Sequence, residues 1–197
     1  LAFDYLSSHF FMDFHFGIKV GVISQNRSLM SEFVKCVPGA NVDADEKFEF
    51  LRVFTFPLYV SNSLVLQINL WALPDDMEER GDCSILCCDA ALMFYVGEDD
   101  NEILSLLSLY QSGIENVNKK CRCICCGNLS NDIPTKAKKF GVEEFISLEQ
   151  NEVSQAFKAQ IAAIVSEIPN PPDPLFLMNK NIKLGPLLLN DPLYKKA

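Results

Sequence analysis

The stretch GIKVGVISQNRSLMSEFVKC, residues 17–36, places a strand signal directly before a helix signal. Its apolar run at 17–22 is typical of a buried strand, and the apolar spacing over 28–36 predicts an amphipathic helix. A glycine leaves the strand, and Arg27 and Ser28 open the helix. A glycine-containing turn between a strand and a helix is also the outline of a phosphate-binding loop. The stretch therefore predicts an α/β unit and raises the question of a nucleotide site.

The rest of the chain alternates between strand and helix signals, which indicates a mostly parallel sheet with crossover helices. Period-two alternation over 48–56 and 64–72, separated by polar residues 61–63, predicts one antiparallel hairpin. Further strands are predicted within 85–96, in CRCICCG and in VEEFISL, and further helices over 101–116, 135–140 and 151–168, the last with Asn151 available as its cap.

The two ends of the chain differ from the middle, so the predicted domain spans 17–168. The extension 1–16 lacks the basic start and small-residue cleavage site of a signal peptide, which leaves open a leader, an extra edge element or an added segment. The tail 169–197 carries six prolines, which deny it a regular helix. Its apolar residues pack either on the domain or on a partner, and they include Leu175, Phe176 and Leu187.

Composition and charge exclude several classes of protein. A net charge of −9 argues against binding to nucleic acid or to an anionic membrane. Cysteines placed inside apolar, strand-like runs behave as small buried hydrophobes, which favours an intracellular, cytoplasmic setting over a disulfide framework. Without a repeated C-x-x-C pair or a nearby histidine, no metal site is predicted. No cysteine follows Cys126, so we expect no C-terminal prenyl anchor.

The order of strand, loop, helix, antiparallel strand pair and repeating strand and helix resembles the Ras-like small GTPase fold, with its closest features in the Rab branch. The resemblance covers about residues 17–168. It implies an α/β domain with a mostly parallel six-stranded sheet, one antiparallel strand and helices on both faces. It also implies a site for GTP or GDP with Mg²⁺, and the motifs of that site are altered here.

The phosphate loop of this family, G-x-x-x-x-G-K-[ST], aligns with GVISQNRS through Gly21, Arg27 and Ser28. Asn26 stands where the second glycine lets backbone N–H groups approach the phosphates. Arg27 keeps the charge of the family's lysine but is larger and planar. Ser28 keeps a hydroxyl that could reach the metal ion. The alignment therefore predicts a relic of the loop.

The metal-binding and water-positioning motif of the family follows a strand reading roughly LQIWDTAGQ, which is similar to LQINLWALP at 66–74. Leu70 replaces the aspartate that holds Mg²⁺ through water, and Leu73 replaces the glycine that senses the third phosphate. Pro74 replaces the glutamine that positions the attacking water. Because Mg²⁺ demands oxygen ligands, these replacements predict the loss of metal binding and turnover.

The guanine-reading motif N-K-x-D appears as Asn128-Leu129-Ser130-Asn131, in which Asn131 replaces the aspartate. The supporting S-A-K loop appears as Ser147-Leu148-Glu149. The replacements fall on separate tasks, namely the phosphate cradle, the metal ion, the water and the base. The sequence therefore predicts a protein that is not an enzyme and holds no cofactor.

Three hypotheses follow. The first is a pseudo-GTPase that serves as a protein–protein interaction module or complex subunit, with no catalytic residues. Its predicted partner surface comprises Trp71, Leu73, Pro74 and Met77, together with the apolar residues of the tail. The second is a divergent small GTPase that still binds a guanine nucleotide with Mg²⁺ and hydrolyses it little or not at all. The third is another parallel α/β domain, flavodoxin-like or receiver-like, with Asp89 and the acidic run 98–100 as candidates.

Overall fold

The computed structural model describes residues 16–42, 51–61, 64–74, 90–111, 114, 121–142, 144–167 and 182–183. Their strands are β1 (Phe16–Ser24), β2 (Arg52–Ser61), β3 (Leu64–Pro74), β4 (Leu92–Gly97), β5 (Arg122–Gly127), β6 (Glu144–Ile146) and β7 (Ile182–Lys183). Their helices are α1 (Arg27–Cys36), α2 (Asp100–Leu106), α3 (Ile133–Ala137) and α4 (Gln150–Ser166). A π-helical turn, Leu107–Gln111, continues α2, and a 3₁₀ turn, Lys138–Phe140, continues α3.

The strands form one sheet in the order β2-β3-β1-β4-β5-β6. β2 and β3 are antiparallel, whereas the other neighbours along this order are parallel. The two-residue β7 adds to β1 in antiparallel orientation, opposite Gly17 and Ile18. The predicted mostly parallel sheet with one antiparallel hairpin is thus confirmed. A flavodoxin-like sheet is parallel with the order 2-1-3-4-5, so the third hypothesis is wrong on both counts.

Helices pack on both faces of the sheet because strand side chains alternate between the two faces. On one face, α1 and α4 cover an apolar layer with Phe94 at its centre. The Phe94 ring centroid lies 4.8 Å from that of Phe33 in α1 and 6.5 Å from that of Phe157 in α4. On the other face, α2 and α3 cover a second layer that includes Tyr95 and Ile133.

The helix predicted over 101–116 is regular only as far as Leu106. The π-helical turn after it buries both Tyr110 and Gln111, and the Tyr95 hydroxyl donates a 2.8 Å hydrogen bond to Gln111 Oε1. The apolar stripe predicted for this helix is nevertheless buried throughout, at Ile103, Leu107, Tyr110 and Ile114. The wider turn therefore adds a polar contact without displacing the stripe.

Two of the element boundaries that differ from the predicted ones are the end of β1, which pairing with other strands extends, and the start of the last helix, whose N-cap is a different residue. β1 runs to Ser24 instead of ending at 22, since its last residues pair with both β3 and β4. The last helix begins at Gln150 with Glu149 at its N-cap, so Asn151 is not the cap. None of the helices in the described ranges has the length and apolar character needed to cross a bilayer.

Several sequence predictions lie outside the described residues. They concern the strand signals before 51 and between 85 and 89, the extension 1–15, and most of the tail. The pairing of residues 182–183 with β1 places that part of the tail on its own domain. Four residues of the predicted partner surface also lie outside, namely Met77, Leu175, Phe176 and Leu187.

Candidate functional site

The carboxyl ends of β1 and β4 meet where the strand order of the sheet changes direction. From β1 the chain leads to β2 and β3 on one side, whereas β4, β5 and β6 lie on the other. Open α/β sheets bind ligands in the crevice outside the carboxyl ends of the strands at such a switch point. In this chain the crevice lies between the turn after Ser24 and the acidic segment that begins at Glu98. Its contents therefore test the nucleotide hypothesis directly.

The turn between β1 and α1 contains two residues, Gln25 and Asn26. The predicted phosphate loop begins at Gly21, yet Gly21 lies inside β1, opposite Trp71 on β3 and Met93 on β4. The strand continues to Ser24 with partners on both sides. The backbone of this segment therefore belongs to the sheet and does not curl around a phosphate group.

Asn26 caps α1 with its own side chain. Its Oδ1 accepts hydrogen bonds from the backbone N–H groups of Ser28, at 2.9 Å, and Leu29, at 3.2 Å. These are the donors that a helix N-terminus otherwise offers to an anion. The hydroxyl of the buried residue Ser24 fixes the Asn26 backbone through two hydrogen bonds of 3.0 Å each. It donates to the Asn26 carbonyl oxygen and accepts from the Asn26 N–H. A phosphate at this point would have to displace the cap.

An acidic side chain closes the other side of the crevice. Asn26 Nδ2 donates a 2.6 Å hydrogen bond to Glu98 Oε1, which bridges the turn after β1 to the end of β4. Glu98 in turn donates its backbone N–H to the Glu102 carboxylate at 2.7 Å. A phosphate placed beside Asn26 would be repelled by the Glu98 charge. These residues do not fit a nucleoside triphosphate, and Arg27 and Ser28 are both exposed on the first turn of α1.

The residues that replace the metal and water motif are part of the hydrophobic core. Leu70 pairs with Val20 in the middle of the sheet, under α1 and α4. Leu73 is 1% exposed and belongs to the layer on the opposite face. Pro74, the last residue of β3, is buried beside Ser24. Leu73 and Pro74 are therefore not on a free surface, which corrects the partner surface predicted for them.

Trp71 is half-buried on the sheet face that carries the α2 layer. The Lys19 ammonium lies 4.1 Å from the centroid of its ring, in a cation–π contact. Directly opposite Trp71 on β2 is Val53, a large apolar residue with 45% of its surface exposed. The sequence analysis did not predict that Val53 is exposed. Alternation alone does not show that β2 lies at the edge of the sheet, with β3 as its only neighbour among the described strands. Trp71 is therefore the one residue of the predicted partner surface that lies in the described ranges and is partly exposed, and Val53 lies beside it.

A second feature of the carboxyl edge is a cavity of about 600 Å³ between the loops that follow β5 and β6, here called the β5–β6 cavity. It brings together three predicted residues, Asn128, Asn131 and Ser147. Asn26, Arg27 and Ser28 do not line it. The complete lining is Gly127, Asn128, Leu129, Ser130, Asn131, Ile133, Pro134, Phe145, Ile146, Ser147, Leu148 and Glu149.

Carboxylates from neighbouring helices fix both walls of this cavity. Asp100 accepts the Ser130 backbone N–H at 2.9 Å, the Ser130 hydroxyl at 2.5 Å and the Lys136 ammonium at 3.1 Å. The Ser130 hydroxyl contributes most to lowering the pKa of Asp100, followed by the Ser130 N–H. On the other wall, the Ser147 N–H donates to Glu152 at 2.7 Å and lowers the pKa of that carboxyl.

Cys126 is a buried cysteine beside the cavity. It lies in the buried part of β5, and its Sγ donates to the Ser147 carbonyl oxygen at 3.5 Å. Burial raises the pKa of the Cys126 thiol, and burial also raises the pKa of Cys36. Within the described ranges, no three His, Cys, Asp or Glu side chains are grouped so as to hold a metal ion. These thiols therefore act as packing groups, as their positions in apolar runs indicate.

A comparison with protein-family models and with curated protein sequences finds no match to this chain.

Proposed function

We propose that this chain is a Ras-like domain that has lost GTP and Mg²⁺ binding and serves as a protein-binding subunit. The antiparallel β2–β3 pair beside an otherwise parallel sheet, with helices on both faces, supports the Ras-like part of the proposal. The resemblance between this chain and the family's motifs, in the same order along the sequence, supports it further.

One observation carries the loss of nucleotide binding. Asn26 occupies the first N–H groups of α1 with its own carboxamide and is held there by Glu98. A phosphate would therefore lose the helix donors and meet a carboxylate. Several missing charged hydrogen bonds, each worth about 1.5–3 kcal/mol, amount to orders of magnitude in affinity.

The proposed protein-binding surface is the β2–β3 face around Val53 and Trp71. Both residues are apolar, and they lie opposite one another across the two strands. Aromatic side chains with an apolar body are frequent anchors at protein interfaces. Because this surface has no third phosphate to sense, we expect it to keep a single conformation.

A second candidate function is the binding of a guanine nucleotide through its base alone. The β5–β6 cavity favours it, since it brings Asn128, Asn131 and Ser147 together where the resemblance places the base. Heating the purified chain and chromatographing the supernatant separates the two candidates. We expect no stoichiometric nucleotide, and a guanine nucleotide at a near-equal molar amount would reject the proposal.

The binding surface is tested by capture of the partner complex with two variants of the full chain. Val53→Asp places a charge on the surface and is expected to weaken capture strongly, as is Trp71→Ala. Ser28→Asn, which changes the position of the family's metal-binding hydroxyl, is the matched control and is expected to capture normally. Loss of capture by Ser28→Asn alone would show that the phosphate end still functions.

A further inference from the structure

We propose that the β5–β6 cavity binds an arginine side chain of a protein partner. The inference rests on the proposed function, because the arginine belongs to the protein that this domain would hold. The lining, the charge and the rigidity of the walls assign to the cavity a ligand other than a nucleotide.

The lining suits a flat group that has apolar faces and carries several hydrogen-bond donors along its edge. The cavity volume, about 600 Å³, lies in the range of sites that hold small ligands, about 300–1,000 Å³. Apolar side chains form much of the wall, and the amide side chains of Asn128 and Asn131 supply carbonyl acceptors. The apolar members are Leu129, Ile133, Pro134, Phe145, Ile146 and Leu148.

The charge at the cavity favours a cation. Glu149 is the one charged residue among the twelve that line it, and the Glu152 carboxylate lies next to it on Ser147. The N-terminus of α4 adds about half a positive charge, which these two carboxylates outweigh. On the other wall the charges of Lys136 and Asp100 offset one another in an ion pair. A phosphate-bearing ligand would be repelled here, whereas a cation would be attracted.

Glu149 is not needed by the fold. It occupies the N-cap position of α4, yet its side chain makes no capping hydrogen bond, and it is exposed. Its carboxylate can therefore accept a charged hydrogen bond from a ligand without uncapping the helix. This separates a ligand-binding role from a structural one, and it makes the Glu149→Gln variant interpretable.

The structure favours arginine over lysine. A guanidinium is planar, carries five N–H donors and stacks on aromatic rings, whereas an ammonium is a compact and strongly hydrated charge. The cavity offers an aromatic residue, Phe145, together with amide and carboxylate acceptors. Because Asp100 and Glu152 already fix the two walls, little ordering of the loops remains to oppose binding.

The experiment titrates the full ¹⁵N-labelled chain with N-acetylarginine methylamide and follows the backbone amide signals. We expect shifts confined to 128–131 and 147–149. The lysine counterpart is expected to bind more weakly, and the citrulline counterpart, which has the same shape without the charge, at least about tenfold more weakly. Glu149→Gln is expected to weaken arginine binding about three- to fivefold, and added salt to weaken it further. Glu32→Gln, an exposed carboxylate on α1, is the matched control and is expected to bind normally.

Citrulline or lysine binding as tightly as arginine would overturn the proposal, as would the absence of any shift at the highest soluble concentration. Guanosine is the last ligand, and shifts at 128–131 with guanosine but not with arginine would assign the cavity to a base. The two proposals fail separately. A copurified nucleotide rejects the proposed function, whereas a nucleotide-free chain that ignores arginine rejects this inference alone.

Discussion

Among single residues, Asn26 caps the N-terminus of α1 and occupies the place where a phosphate would bind. Removing a side-chain N-cap costs about 0.5–2 kcal/mol, whereas glycine at the same position costs only a few tenths. We therefore expect Asn26→Ala to lower the free energy of unfolding by about 1 kcal/mol and Asn26→Gly to lower it less. Urea denaturation followed by circular dichroism measures both values.

The control for this prediction is another asparagine at a helix start that makes no cap. Asn151 lies exposed in the first turn of α4, and Asn151→Ala is expected to leave the free energy of unfolding unchanged or slightly raised. An equal loss in Asn26→Ala and Asn151→Ala would contradict the capping role of Asn26.

Asp100 gives the chain a pH-dependent contact between α2 and the loop after β5. Its folded pKa is lowered, chiefly by the Ser130 hydroxyl, so its stabilising contribution is present above its unfolded pKa of about 3.9. That contribution is lost as the pH falls through the lower folded pKa. We expect Asp100→Asn to show a shallower acid loss of stability than the parent chain, measured as urea midpoints from neutral to acidic pH. Parallel loss in the two proteins would contradict this assignment.

Among the elements, local pattern was enough to predict most strands and helices. The alternation of Leu66, Ile68 and Leu70 predicts the buried face of β3, and all three are in the core. The continuation of β1 beyond residue 22 was not predictable, because the pairing of Ile23 and Ser24 with β3 and β4 joins segments far apart in sequence. The interpretation of Gly21 as the start of a phosphate loop was open for the same reason. A glycine has the same local signal in a loop as in a strand.

The candidate site was predictable only in part, for the same reason. Asn128, Asn131 and Ser147 were found through the resemblance, and they share a cavity. The contact between Asp100 and Ser130, which are 30 residues apart, has no local sequence signal. The apolar wall at Phe145 is likewise a product of the fold. The capping role of Asn26 did have a local signal, since asparagine is a preferred N-cap residue and Asn26 directly precedes the predicted helix. The resemblance therefore identified the polar groups of the cavity but not the contacts that hold them in place.

Gly127 lets the ends of β4 and β5 approach closely. A Cβ on Gly127 would strike the carbonyl oxygen of Gly97, a backbone atom that cannot move without separating the strands. At Gly97 a Cβ would meet side-chain atoms of Ile103 at 3.1 Å and the Glu102 Cβ at 3.2 Å, which would have to shift by only a few tenths of an ångström. We expect Gly127→Ala to lower the free energy of unfolding by about 1–3 kcal/mol and Gly97→Ala to lower it less, as measured by urea denaturation. The reverse order would contradict this account of the strand contact.

The reactivity of the β5 thiols tests how well the central sheet excludes solvent and reagents. Cys123, Cys125 and Cys126 are buried, and burial raises the pKa of Cys126, so its reactive thiolate is scarce at neutral pH. We expect iodoacetamide to leave these three cysteines unmodified in the folded chain and to modify them fully in urea, as read by peptide mass spectrometry. Rapid labelling of Cys126 without denaturant would contradict its burial.

At the level of the whole molecule, the crevice at the switch point and the β5–β6 cavity differ in whether they can admit a ligand. The crevice is closed by Asn26 and Glu98, whereas the cavity beside it remains open with its walls fixed. A nucleotide needs both places at once, since its phosphates and its base are covalently joined. The β5–β6 cavity therefore has room for a small ligand, and the proposed loss of nucleotide binding rests on the closed crevice.

The proposed loss of GTP and Mg²⁺ binding predicts that the stability of the whole chain is independent of nucleotide and metal. A ligand present at 1,000 times its Kd would stabilise the native state by about 4.1 kcal/mol. For a domain of this size that corresponds to a Tm increase of roughly 8–16 °C. We expect millimolar GTP or GDP with Mg²⁺, and equally EDTA, to leave the Tm of the purified chain unchanged in differential scanning calorimetry.

The matched variant for this measurement restores the family's residues in the turn. Asn26→Gly combined with Arg27→Lys is also expected to show no Tm increase with GTP and Mg²⁺, because Gly21 to Ser24 remain paired in β1 and Leu70 remains in the core. A nucleotide-dependent increase in the parent chain that EDTA abolishes would mean that strand β1 opens to form a loop. An increase in the double variant alone would mean that the residues of the turn prevent nucleotide binding, and that the length of β1 does not.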